Sequence, residues 1–238
     1  MRRHHYKPYL GEGGIVSKPA VTTNGVMARY ERFSHSGTTW YDLTPSPANG
    51  TDGTNGAAFT WPSFNGESFV NFGLPAKLDF TDAFTALVWA NQSTAIPRQT
   101  KERVLSRDAG AGTNRAFILE QRDDTGIVSG YLWVGGGAAP NVIDSPAVYN
   151  TDTYHFICLV NEGAGGDIRL YVDGELIGTD AGGGGAMNLA TSNLYAGRPH
   201  SGTDDFFTGL IDTVRLYGRA LSADEILRDY YAGVPAHS

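Results

Sequence analysis

The sequence predicts an all-β protein of antiparallel strands closed by one short C-terminal helix, and three observations carry that expectation. The first is turn chemistry: Asn49-Gly50, Asp52-Gly53, Asn55-Gly56, Asn65-Gly66 and Asp173-Gly174 punctuate the chain, which holds 31 glycines among 238 residues and only 18% charged side chains. Such dipeptides tolerate the positive φ angles of tight hairpin turns. The second is a hairpin, in which Ile168 to Val172 and Glu175 to Ile177 flank the two-residue turn Asp173-Gly174. The third is the run from Gly209 to Ile226. There Ile211, Val214, Leu216 and Tyr217 suit a packed strand, Gly218 breaks it, and a capped helix follows at once.

Taken in order, residues 1–24 lack strand or helix periodicity and contain Pro8, Pro19 and three glycines, so they read as an extended arm or a frayed terminus. A first strand is expected from Val26 to Phe33. Residues 44–58, rich in Pro, Gly, Asn and Thr, are expected to form a surface loop. Phe156-Ile-Cys-Leu-Val160 is an apolar run in which Cys158 reads as a small core residue. As the sole cysteine it excludes an intrachain disulfide, and no sequence-local cation would activate it. The run Ala181-Gly-Gly-Gly-Gly-Ala186 reads as flexible, because no P-loop Lys-Ser/Thr follows it. At the final helix, Ser222 and Glu225 have the spacing of a capping box, Leu221 and Ile226 that of a hydrophobic staple, and Gly233 with Pro235 is expected to stop it.

Five segments together resemble the LamG-like jelly rolls of the concanavalin A-like lectin and glucanase superfamily. Phe64-Asn-Gly-Glu-Ser-Phe-Val70 resembles an early family strand, Phe84-Thr-Ala-Leu-Val-Trp89 its tryptophan-bearing strand, and Tyr154-His-Phe-Ile157 its Trp-His strand. Leu170-Tyr-Val-Asp-Gly-Glu-Leu-Ile177 resembles the family hairpin, and Gly209 to Ile226 its C-terminal signature. The resemblance implies a two-sheet antiparallel jelly-roll sandwich over residues 25–238, with Trp89 buried, behind an N-terminal arm of residues 1–24. A length of 238 residues with 41% apolar composition suits one such domain.

The superfamily includes glucanases, but the Glu-x-Asp-x-x-Glu array that would set acids along one strand face is absent, so a non-enzymatic protein is expected. Acids from separate strands are the route left open to a hydrolase. Nucleophile-elbow, CxxC and HExxH patterns are also absent. The resemblance further implies a calcium ion near Asp212, assisted by Asn65; the alternative is that Asp212 bonds to backbone amides or an arginine. For a sugar ligand, one candidate set is Trp133 with Asn141 and Asp144, and another is His200 with Asp204 and Asp205. Against these stand a buried Trp133 and a simple turn at Asp204-Asp205.

Charge sets the remaining expectations. Arg2, Arg3, Lys7 and Lys18 against Glu12 give residues 1–24 a net +3, which leaves −10 on the rest of a chain whose total is −7. A basic arm bearing Tyr6 and Tyr9 ahead of an acidic body points to docking on other subunits through Arg2, Arg3, Tyr6, Lys7 and Tyr9. With a sequence pI near 5.3 and no basic stripe, nucleic acid is not an expected partner. No apolar segment is long enough to span a bilayer, and the N-terminus lacks the apolar core of a secretory signal. These features lead to the expectation of a structural or recognition protein on a virion surface, a capsid-decoration or tail protein of a tailed phage, in a homo-oligomer or multi-copy assembly. The alternative is a carbohydrate-binding lectin module for a cell-surface glycan, extracellular by a non-classical route.

Overall fold

The computed structural model describes residues 24–30, 35–36, 39–40, 42–44, 49–54, 63–74, 76–80, 82–93, 101–108, 115–122, 125–146, 148–149, 152–188, 191, 193–199 and 205–237. The first strands in chain order are β1 (Val26–Tyr30), β2 (His35–Ser36), β3 (Thr39–Trp40), β4 (Gly50–Thr54), β5 (Ser63–Asn65) and β6 (Ser68–Asn71). The long central strands follow: β7 (Phe84–Gln92), β8 (Glu102–Asp108), β9 (Arg115–Gln121), β10 (Val128–Leu132), β11 (Asn141–Asp144) and β12 (Tyr154–Asn161). Last come β13 (Ile168–Val172), β14 (Glu175–Asp180), β15 (Tyr195–Ala196), β16 (Thr208–Tyr217) and helix α1 (Ala223–His237).

These strands form two antiparallel sheets, as the sequence predicts for a jelly-roll sandwich. One runs β1-β16-β7-β12-β13-β14, with β5 also paired to β16, and the other runs β11-β10-β9-β8-β15-β6-β4-β3-β2. Alternation along the strands fills the space between them: Phe84, Ala86, Val88 and Ala90 from β7 meet Phe117 and Leu119 from β9 and Val70 from β6 in one buried cluster. The intervening residues Leu87 and Trp89 point outward and form a second buried cluster with Phe156, Cys158, Val160, Tyr171, Tyr217, Leu221 and Ile226. Trp89 and Cys158 are therefore buried as expected, but under the helix rather than between the sheets. Burial and the nearby Asp229 push the Cys158 thiol well above its ordinary pKa, which suits an inert packing residue.

Helix α1 covers the seven-stranded sheet because Ile226, Asp229, Tyr230, Gly233 and His237 recur at helical spacing on one side. Its start matches the sequence. The Ser222 amide donates to Glu225 Oε2 at 2.9 Å and the Glu225 amide to Ser222 Oγ at 3.3 Å. Its end does not match. The helix runs on through Gly233 and Pro235 to His237. Gly233 serves packing rather than termination: a Cβ there would lie 2.4 Å from Trp89 Nε1. His237 then stacks on Trp89 at 4.2 Å between centroids, and its Nδ1 donates to the Gly233 carbonyl at 2.8 Å.

Two other expectations are corrected. Residues 50–54, within the predicted 44–58 loop, form β4, paired with β6; there Gly53 lets the Phe69 ring lie where a Cβ would be only 2.2 Å away. The 181–186 glycine run is tied down rather than free. Gly182 donates to Asp167, Gly184 to Gly166 O and Gly185 to Asn161, while Asn141 Nδ2 donates to Gly183 O. At Gly184 a Cβ would sit 2.7 Å from Gly163 O, so backbone is packed on backbone. The hairpin agrees with its prediction, with Asp173 at φ 53° and Gly174 at φ 79°. Asp42 closes the first strand: its Oδ1 accepts from the Arg29 and Thr44 amides, and its Oδ2 pairs with Lys77.

Candidate functional site

The outward face of the nine-stranded sheet differs from the helix-covered face in carrying charged groups that reach the surface. The strand registers place Arg103 of β8 opposite Glu120 of β9, and Glu120 opposite Ser129 of β10, which in turn faces Asp144 of β11. Glu120 alternates with Phe117 and Leu119, which face the inter-sheet core, so it points away from that core. A bulge in β8 between Arg103 and Leu105 allows Arg103 to face out while Val104 and Leu105 both reach the core.

These side chains line up as two neighbouring hydrogen-bonded groups, joined by strand register. The Ser129 hydroxyl donates to Asp144 Oδ1 at 2.6 Å, and the Tyr131 hydroxyl donates to Glu120 Oε1 at 2.7 Å. Arg103 pairs through Nη1 with Glu120 Oε2 and through Nη2 with Asp205 Oδ2 at 3.5 Å, while its guanidinium lies 5.8 Å from the Tyr131 ring centroid. Burial, and then the bond to Glu120, raise the Tyr131 pKa well above its ordinary value, so the phenol stays a donor. Glu120 is fully buried with both oxygens committed, whereas Asp144 is exposed and Arg103, Tyr131 and Asp205 are half-buried. The row is anchored at its centre and open at its ends.

Aromatic groups flank this row. On one side Arg115 pairs with Asp108 at 3.1 Å and lies 5.3 Å from the Trp133 ring. On the other, Arg198 lies 4.4 Å from the Phe69 ring, 5.1 Å from Tyr195 and 5.4 Å from Phe206, and this desolvation lowers its pKa. Phe206 forms a bridge with Arg103, so this aromatic group is continuous with the charged row. Asp205 holds a left-handed φ of 64°, and its carbonyl accepts from the Arg103 amide at 3.0 Å. A non-glycine residue in that region, locked beside a charged group, marks a position where geometry is over-determined.

The sequence candidates are distributed unevenly over this arrangement. Asp144 and Asp205, expected in two separate patches, lie at opposite ends of the same row. Trp133 is only 2% exposed, because residues 134–140 fold back and its Nε1 donates to the Ala138 carbonyl at 3.1 Å. Its ring is closed to a ligand, and Tyr131, stacked 6.2 Å away, is the more accessible aromatic. Asn141 is engaged with Gly183. His200, Asp204 and the arm residues Arg2, Arg3, Tyr6, Lys7 and Tyr9 lie outside the described residues.

Asp212 sits on the other sheet, at a bulge in β16 between Ile211 and Thr213 that turns its carboxylate toward α1. There Asp212 Oδ2 lies 2.6 Å from His237 Nε2, and both side chains are buried. Asn65 uses its Oδ1 to accept from the Glu67 and Ser68 amides, the pattern of a local turn. Among the described residues no group of three or more His, Cys, Asp or Glu side chains is placed to hold a metal ion, and no helix is long and apolar enough to cross a membrane.

Sequence reasoning missed Arg103, Glu120 and Tyr131. Each belongs to an ordinary-looking strand, and only register brings them together; the one local signal was an acid and an arginine in otherwise apolar strand sequences.

Comparison with known proteins agrees with the fold. The pattern of the concanavalin A-like lectin/glucanases superfamily matches residues 52–227. Among solved structures, the chain is similar to the binding domain of botulinum neurotoxin serotype D/C, with a TM-score of 0.62 and 10% identity over 87% of this chain and 51% of that one. It is equally similar to the binding domain of Paraclostridial Mosquitocidal Protein 1, with a TM-score of 0.64 and 13% identity over 87% and 52%. A third is the binding domain of botulinum neurotoxin DC in complex with SialylT, with a TM-score of 0.61 and 9% identity over 87% and 51%. The chain thus spans about half the length of these structures. No curated protein sequence matches it significantly.

Proposed function

Because this chain belongs to the concanavalin A-like lectin/glucanases superfamily, we propose that it is a non-enzymatic carbohydrate-recognition module that reads a glycan on the outward face of its nine-stranded sheet. The observation that carries this reading is the row Asp144, Tyr131, Glu120, Arg103 and Asp205, anchored by a fully buried carboxylate and open at both ends. Sugar hydroxyls need fixed donors and acceptors beside an apolar surface. Here Asp144 and Asp205 supply acceptors, Arg103 supplies donors, and the half-buried Tyr131 and Phe69 supply apolar surface, with the buried Phe206 packed behind Phe69.

The same geometry favours binding over hydrolysis. A glycosidase acid must hold and release a proton, whereas Glu120 is paired with Arg103 and accepts from Tyr131, which leaves neither oxygen free for a leaving group. The likeness to toxin binding domains, one of them a complex with SialylT, supports a recognition role in the same direction.

The test is a glycan-array assay on the full chain, followed by titration of any hit against Asp144→Asn and Asp205→Asn. Specific binding weakened by both changes is expected; no glycan bound, or turnover of one, would sink this reading.

A second reading rests on a different observation, the +3 charge of residues 1–24 ahead of a body carrying −10. On it, the module is carried on a virion surface, as a capsid-decoration or tail protein, and docks through Arg2, Arg3, Tyr6, Lys7 and Tyr9. Deleting residues 2–24 is then expected to abolish incorporation into particles while leaving the unfolding transition unchanged, and unaltered incorporation would remove this second role.

A further inference from the structure

The last turn of α1 is a poor helix by composition. Gly233 has no side chain to restrict its backbone and Pro235 brings no amide, so the turn that ends at His237 lacks one of the hydrogen bonds of an ordinary helix. The His237 side chain fastens it instead. The imidazole lies parallel to the Trp89 ring, with 4.2 Å between centroids and 5° between planes, and meets the Tyr154 ring edge-on at 4.8 Å. Its Nδ1 bonds to the Gly233 carbonyl, and its Nε2 lies 2.6 Å from Asp212 Oδ2. Only 4% of the His237 side chain and 1% of the Asp212 side chain are exposed.

The imidazole fills this space without satisfying its polar atoms. Trp89 Nε1, His237 Nε2 and both carboxylate oxygens of Asp212 are buried, and among the described residues none of the four has a hydrogen-bond partner. The close approach of Nε2 to Oδ2 is therefore off the direction that a hydrogen bond requires. A buried carboxylate in that state is costly, and the cost falls as its lone pairs receive donors. A stacked indole, a second ring edge-on and an under-used carboxylate at the end describe a site for a flat cation. Guanidinium suits it better than imidazole does, because it stacks on an aromatic face and presents a fork of N–H donors that matches both carboxylate oxygens at once.

We propose that Trp89, Tyr154 and Asp212 form a binding site for a guanidinium group, which His237 holds closed as a built-in competitor on the last turn of α1. The group is carried by an arginine side chain of a partner or by a small free guanidine. This inference does not depend on the glycan reading, which concerns the outward face of the other sheet.

The test titrates methylguanidinium chloride into the full chain at millimolar concentration and follows the Trp89 indole N–H by NMR. We expect a saturable shift, with affinity about tenfold or more higher in His237→Ala, where the competitor is gone, than in the unaltered chain. Asp212→Asn should abolish binding, and methylurea, which has the same shape without the charge, should not bind. In the unaltered chain, saturation should also return the His237 ring protons, shifted upfield by stacking on Trp89, to the positions of a histidine in water. That readout needs no variant, so it decides the matter even where His237→Ala does not fold. An arginine-bearing peptide titrated alongside identifies the source: tighter binding than methylguanidinium assigns a partner's arginine, and weaker binding a free guanidine. Absence of a saturable shift in the unaltered chain overturns the proposal, since His237 is then a fixed plug. So does an equal response to methylurea, or a response that survives in Asp212→Asn.

Discussion

The outward faces of the two sheets handle polar groups in opposite ways. On the seven-stranded sheet, Trp89, Phe156 and Tyr217 are sealed beneath α1 by Ile226, and the polar residues Tyr217, Asp229, Arg215, Asp212 and His237 are engaged with one another. The Tyr217 hydroxyl donates to Asp229 Oδ2 at 2.8 Å, Arg215 lies 3.7 Å from the same oxygen, and Asp212 meets His237. On the nine-stranded sheet the pairs are equally well made at Glu120, but the row reaches Asp144 and Asp205 at its accessible ends. A buried polar pair alone therefore says little about function. The informative feature is whether the network ends on groups that something else can touch.

This contrast can be broken most forcefully at Trp89. Trp89→Ala removes the ring that packs on Phe156, Tyr230 and His237, and should cost about 3–5 kcal/mol in urea unfolding. Glycan affinity of the folded fraction should be unchanged; loss of both would mean the two faces are not independent. Tyr131→Phe and Tyr217→Phe form a matched pair, each deleting a hydroxyl that donates to a buried carboxylate. Both should cost about 1.5–3 kcal/mol, yet only Tyr131→Phe should weaken glycan binding. Equal binding in the two variants would remove Tyr131 from the recognition face.

Asp144→Asn and Asp205→Asn reverse the pattern. Stability should change by no more than about 0.5 kcal/mol, because Asp144 is exposed and asparagine tolerates the left-handed φ of Asp205. Affinity should nevertheless fall by about tenfold or more, equivalent to about 1.4 kcal/mol.

The smallest effect concerns acid stability on the sealed side. Hydrogen bonds from Arg219 lower the Glu225 pKa from 4.5 to about 2. A folded-state pKa below the unfolded one gives stability that is complete above pH 4.5 and is lost as pH falls through 2. Tm measured across that window should decline less steeply in Glu225→Gln than in the unaltered chain, while binding at neutral pH is unaffected. An identical decline would show that the pair with Arg219 does not contribute.

Much of the fold was legible because its signals are local. Ser222 and Glu225 cap α1 through contacts three residues apart, and Asp173-Gly174 sets its hairpin through two backbone angles. Local rules misled at Gly233 and at residues 50–54. In both places glycine is present because Trp89 or Phe69 packs against the backbone, and a glycine read in isolation looks like a stop or a loop.

The candidate site was legible only at its ends. Asp144 and Asp205 stood out as acids near turns, but Glu120, Arg103 and Tyr131 gave no sign of belonging together. By itself, the sequence determined the antiparallel all-β class, the hairpin and the capped helix, since alternation, turn residues and caps act within a few residues of chain, and its resemblance to the LamG-like jelly rolls implied the two-sheet sandwich. The tertiary structure alone decided which face each charge occupies. The bulges at Arg103 and Asp212 reset the alternation of their strands, and the registers of β8, β9, β10 and β11 are fixed by pairing with distant chain, so the recognition row and the buried Asp212, Trp89 and His237 group arise from contacts that no short segment encodes.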